Sequence, residues 1–179
     1  MKLNTIITIG KELRSTYDCQ DPELLCAGAG VISLLFPMGT ARKSIKGFIL
    51  SHSGNVAITV NSDLSPDMIR VIRYHEFAHY ILHVRTGLAE AVHDSDIYDA
   101  SSQAEYEANL LAAELQLEDA EVLRVLKETG DFYAAAGSLH VPPELLDFKF
   151  RLMREKGYKL PEVPVTATGS YLLRFNEGA

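Results

Sequence analysis

Apolar and polar positions change their spacing several times along this chain, and each change marks an element. Early apolar residues three and four apart predict a helix over Ile6–Tyr17. Asp21 followed by Pro22 is a capping pair, so PELLCAGAG should form a second helix that Gly28 and Gly30 end. VISLLF (31–36) is apolar apart from Ser33 and predicts a buried strand. A basic loop, PMGTARKSIK, comes next. GFIL (47–50), a turn at Ser53-Gly54-Asn55 and VAITVN (56–61) then predict a β-hairpin. Ser65, Pro66 and Asp67 open a long helix that should reach about Val84, with Gly87 at its end. Residues 88–100 are rich in Asp and Ser and read as irregular. Helices are then expected from about Ser101 to Leu117, from near Glu118 to Gly130, over FYAAAGSL, and from Pro142-Pro143 through Lys156. Pro161 and Pro164 break regular structure beyond that last helix, and YLLRF (171–175) reads as a terminal strand or a loose tail. Strands early and helices late predict an α+β fold, a small antiparallel or mixed sheet packed on a predominantly helical body. Residues 1–160 should form a single domain and 161–179 a C-terminal tail.

Composition narrows the class. With 47% hydrophobic and 23% charged residues over 179 positions, the chain has the make-up of one globular domain. No apolar run approaches the ~18 residues of a membrane span, and the start lacks the pattern of a signal peptide. The two cysteines, Cys19 and Cys26, match no metal or redox spacing and read as reduced cytosolic thiols. A cytoplasmic protein without membrane contact is therefore expected. The net charge of −7 disfavours direct nucleic-acid binding. That charge is uneven: residues 86–123 hold 10 acids and no Lys or Arg. Such a block reads either as a solvated face or as an acidic rim that attracts a basic partner.

The chemistry-bearing stretch is His75-Glu76-Phe77-Ala78-His79. Two imidazoles four residues apart share one helix face, about 6 Å apart along the axis, and both can reach one Zn²⁺. Glu76 is offset by roughly 100°, so it borders the ion without ligating it and can act as general base on an activated water. A catalytic zinc usually takes a third protein ligand. His83 lies too far along the same helix and reads as a supporting or surface residue; Arg85 occupies the position where metzincins carry their third His. The later helix offers Glu105 and Glu107, which differ by roughly 200° around its axis, so only one can face the ion. Glu105 shares its face with Ala108, Asn109 and Ala112, small enough for close helix packing, and is the preferred ligand. Glu107 is the alternative, but it falls with Glu114 and Glu118 on an expected solvent face. Asn109, one turn beyond Glu105, is placed to hydrogen-bond the free nitrogen of a ligand imidazole. Tyr74, Tyr80, His83, His93, Tyr98 and Tyr106 are near the motifs and are the candidates for stabilising an oxyanion. VAITV is a candidate edge strand for binding substrate backbone.

HEFAHYILH (75–83), EYEANLLAAEL (105–115) and GFIL…GNVAITVNSDLS (47–65), with the earlier DPELLCAGAGVISLLFP, resemble the ImmA/IrrE family of metallo-endopeptidases over roughly residues 8–118. The resemblance implies a zincin-like domain, His75, His79 and Glu105 as zinc ligands, and Glu76 as general base. It also implies a place in phage or mobile-element regulation and a protein substrate, a helix-turn-helix repressor cut to release its genes. The competing readings are a binding protein that sequesters a transcription factor with the metal only structural, and a metal-free helical interaction domain.

Overall fold

The computed structural model describes residues 1–41, 44–86 and 103–174, with side chains to 172. The irregular stretch expected at 88–100, with His93 and Tyr98, lies outside the described residues.

Helix α1 (Leu3–Thr16) buries Ile6, Gly10 and Leu13. Helix α2 (Pro22–Gly28) begins where the Asp21 carboxylate accepts the Glu23 N–H at 2.7 Å. Three strands come next in the chain: β1 (Val31–Phe36), β2 (Gly47–His52) and β3 (Asn55–Asn61). The β2–β3 turn has Ser53 and Gly54 both at positive φ, 49° and 80°, the mirror-image turn that suits strand twist. The sheet order is β1-β3-β2, with β1 parallel and β2 antiparallel to β3. Ile49 therefore faces Ile58, and Val31 pairs with Val56.

The sheet departs from one expectation. β1 is not buried: it is an edge strand, and Ile32, Leu34, Leu35 and Phe36 stay about half exposed. β3, a candidate edge strand, is instead the central one, an ordinary core position. Length and hydrophobicity cannot separate these cases, because strand order is a matter of tertiary pairing. Asn61 ties down the segments at Met38–Gly39 and Ile45. Its Oδ1 accepts the N–H groups of Met38 and Asp63, and its Nδ2 donates to the carbonyls of Gly39 and Ile45. All four capacities of a fully buried amide are thus used.

Helix α3 (Pro66–His79) is capped by the Ser65 hydroxyl, which accepts the Met68 N–H. Val71 to His79 are buried without a break, so the helix lies sunk between the sheet and α4. It continues into one π-helical turn, Tyr80–Val84. Helix α4 (Gln103–Gln116) packs on α3, and its Ala108 and Ala112 are both fully buried. Helices α5 (Asp119–Thr129), α6 (Phe132–Ser138) and α7 (Pro143–Glu155) complete the body, and Gly130 ends α5 in the left-handed conformation. The terminal segment forms a short helix, α8 (Tyr171–Arg174), where a strand or loose tail was expected. Ala167, Tyr171 and Leu172 are buried in the core. No described helix is long and apolar enough to cross a membrane.

Among the described residues of the acidic block, Glu118 and Glu121 are exposed, as on a solvated face, while others are not. Glu107 and Glu114, assigned to solvent, are buried. Glu107 pairs with the Met1 amino group and accepts a hydrogen bond from Gln103. Glu114 and Asp119 share Lys149 and Lys156, with N···O distances of 2.6–2.9 Å. Glu118 pairs with Arg14 and Glu121 with Arg124. Arg14 also donates to the carbonyls of Glu114 and Leu115, capping the last turn of α4. Among the described residues, the block's acids beyond Glu105 are thus partnered by cationic or amide groups, most of them on other elements. Helical periodicity showed which residues share a face, but not that α1 and α7 would bring cations to it.

Candidate metal centre

α3 and α4 cross where each offers small or polar side chains, and three of those converge. His75 Nε2 lies 3.1 Å from His79 Nε2 and 3.4 Å from Glu105 Oε2. His79 Nε2 lies 3.0 Å from Glu105 Oε1. All three residues are buried, and among the described residues they are the one His/Cys/Asp/Glu group with metal-binding spacing. The triangle fits an ion. Ligands at Zn–N distances of about 2.05 Å in a tetrahedron stand roughly 3.3 Å apart, close to the separations found. Two imidazole nitrogens and a carboxylate are also a set that zinc accepts.

The electrostatics differ among the three residues. Burial pushes His79 down to about 4, only partly offset by its contacts with Glu105, so it is neutral at pH 7, the state a metal ligand needs. Burial also disfavours charge on His75, but Glu105, Glu76 and Asn109 outweigh it and raise its pKa. Burial alone would raise Glu105; hydrogen bonds and charge from the two histidines hold it well below the usual carboxylate range instead. Each shift reflects three polar groups forced together in a dry site, which a cation would stabilise.

Glu76 is buried beside this group and its charge is felt by His75. β2 passes close beside it. At Gly47 the strand comes so close that an added Cβ would lie 3.0 Å from Glu76 Oε1 and 2.6 Å from Ile72 Cγ2. Sequence reading missed Gly47, although a glycine at a strand start is a known sign of close backbone approach.

A profile of the IrrE N-terminal-like domain, a metallopeptidase family, matches residues 33–151. The chain belongs to the ImmA/IrrE metallopeptidase family. The match starts later and runs further than the resemblance read from the motifs, taking in α5, α6 and most of α7. No curated protein and no solved structure gives a significant match.

Two of the other candidates, Tyr74 and Tyr106, are engaged elsewhere. The Tyr74 hydroxyl is buried against the carbonyls of Cys19 and Gln20, 2.7 and 3.1 Å away, on the side of α2. Tyr106 packs on Phe148 and under Arg151. The His83 ring stands 5.5 Å from His79, but His83 is not one of the three converging groups. Tyr171, which no motif flagged, is buried against Phe148 and feels the charges of Glu144 and Glu105.

Proposed function

We propose that the chain is a zinc-dependent endopeptidase whose substrate is a protein, a helix-turn-helix repressor. The observation that carries the catalytic part is the His75–His79–Glu105 triangle with Glu76 buried beside it. Zinc held there would polarise water and the scissile carbonyl. Glu76 takes the proton that the attacking water loses and passes it to the leaving amine. The two histidines and Glu105 act only as ligands. β2 is the sheet edge beside Glu76, so a substrate segment would add to it as a further strand and bring its carbonyl to the centre. That role moves from β3, which is paired on both sides. The repressor rests on the family resemblance and on its basic charge facing an acidic chain.

The test is metal analysis of the purified chain and a cleavage assay against a helix-turn-helix regulator encoded beside it. Wild-type protein should bind one zinc and cut. Glu76→Gln should keep the zinc and lose cleavage by at least ~10²-fold. Cleavage by Glu76→Gln at the wild-type rate would refute the mechanism. Tight binding of the regulator without cleavage by either form would favour sequestration.

A further inference from the structure

β1 is the sheet edge away from Glu76. It pairs with β3 on one side and, among the described residues, with no strand on the other. The Phe36 carbonyl accepts the Ser62 N–H at 3.0 Å, on the β3 side. Backbone groups alternate along a strand, so Ile32, Leu34 and Phe36 aim theirs at β3, while Val31, Ser33 and Leu35 aim theirs outward. Natural sheets guard such an edge with charge, proline or a bulge. This one carries no Asp, Glu, Lys or Arg from Val31 to Ala41, and its one proline, Pro37, follows the strand. Apolar side chains stand on both faces. Ile32, Leu34 and Phe36 share the face of Ala57, Thr59 and Asn61, and Leu35 lies on the other. The four are 50%, 48%, 60% and 51% exposed.

The strand is its own complement. Two copies related by a two-fold axis at Leu34 run antiparallel. Leu34 then meets Leu34 of the second copy, Ile32 meets Phe36, and Ser33 meets Leu35. The Ser33 and Leu35 pairs exchange four hydrogen bonds through groups that already point outward. No like charges meet across the axis, because the strand has none. With the axis at Ser33 instead, Phe36, the most exposed of the four, would face Gly30, so side-chain packing selects Leu34. About half of four side chains of roughly 200 Å² each is ~400 Å² per copy. With the backbone edges the pair would bury roughly 1,000 Å², the lower limit for a specific interface and the size of a reversible dimer.

We propose that the chain forms a two-fold dimer through β1, fusing two sheets into one with the order β2-β3-β1-β1-β3-β2. The two β2 edges, each beside its own Glu76, lie at the ends of that sheet and stay free. The dimer does not depend on the metal centre and forms with or without zinc.

The experiment is sedimentation equilibrium of the full chain from about 1 µM to 1 mM, the range in which an interface of this size associates. The mass should rise with concentration from 19.8 kDa toward twice that value. Leu34→Glu sets two carboxylates against each other on the axis and should weaken the dimer by at least ~10²-fold, with an unchanged circular dichroism spectrum. Leu123→Glu, at an exposed position on α5, should leave it intact. Leu34→Cys should join two copies by a disulfide on mild oxidation, because residues facing each other in such a pair have Cα atoms about 4.5 Å apart. Leu35→Cys should not, since it faces Ser33 of the second copy. The native Cys19 and Cys26 are buried and do not compete. A monomer at every concentration would overturn the proposal. So would a dimer that Leu34→Glu leaves as strong as wild type, or one in which Leu34→Cys fails to cross-link. A chain that stays monomeric but binds a different protein through β1, with that binding lost in Leu34→Glu, would give the edge to a foreign partner and overturn it too. If Leu34→Glu does not fold, the contrast between Leu34→Cys and Leu35→Cys decides alone.

Discussion

Gly47→Ala tests whether the β2 edge sets the position of the general base. The new methyl would sit 2.6 Å from Ile72 Cγ2, against an ordinary contact of 3.4 Å or more, so the strand and helix must part by about 0.8 Å there. Ile72 is 1% exposed and has no room to retreat. The methyl also presses on Glu76 Oε1 and Cγ at 3.0 and 3.1 Å. Overpacking of this kind costs about 1–3 kcal/mol of stability. A misplacement of about 1 Å at a catalytic group costs roughly 10²-fold in rate, about 2.7 kcal/mol of barrier. The ligand atoms of His75, His79 and Glu105 are not among the atoms nearest the new methyl, so zinc content should not change. Cleavage is monitored as new α-amino groups released from the substrate, beside metal analysis and a melting curve. Loss of rate with full zinc and a modest fall in melting temperature is the expected result. A variant that cuts at the wild-type rate would refute the claim that β2 holds Glu76 in place.

The packing implies three more outcomes. Lys149→Met leaves the buried Glu114 carboxylate and the half-buried Asp119 carboxylate with Lys156 alone, and should lower stability by about 1.5–3 kcal/mol in urea titration. Tyr74→Phe should cost about 0.5–1.5 kcal/mol of stability from its lost bonds to the Cys19–Gln20 backbone, with cleavage retained; a large loss of rate would return Tyr74 to the active site. Burial pushes the Cys26 thiol up from 9.0 to about 12, and the Tyr74 hydroxyl from 10.0 to about 12. Both folded values are raised, so their contribution is intact below the unfolded values and is lost as pH rises toward 12. Denaturation midpoints should therefore fall above about pH 9, by up to ~1.4 kcal/mol per pH unit for each group, and a midpoint flat from pH 9 to 11 would contradict this.

Much of this molecule is local, and local features are legible in a sequence. Ser65 before Pro66, Asp21 before Pro22 and Ser53-Gly54 act through hydrogen bonds and dihedrals within a few residues, so helix starts and the hairpin turn could be placed from neighbours alone. The spacing of His75 and His79 is likewise a property of one helix. Glu105 could be preferred over Glu107 because opposite faces of a helix exclude each other. What stayed hidden depends on partners far along the chain. The burial of Glu107 and Glu114 came from Met1, Lys149 and Lys156, which no period on α4 can announce. Strand order, which puts β3 in the centre and leaves β2 at the edge beside Glu76, is a matter of pairing between segments that no local pattern states. The hydrogen bond from Asn109 to the Gly169 carbonyl joins residues 60 positions apart. The chemistry of this protein is thus written in residue types and their spacing along single helices. The convergence of the three buried groups, and the sheet edge that β2 leaves beside Glu76, were decided only when α3, α4 and the sheet packed together, because burial and long-range contacts exist only in the folded chain.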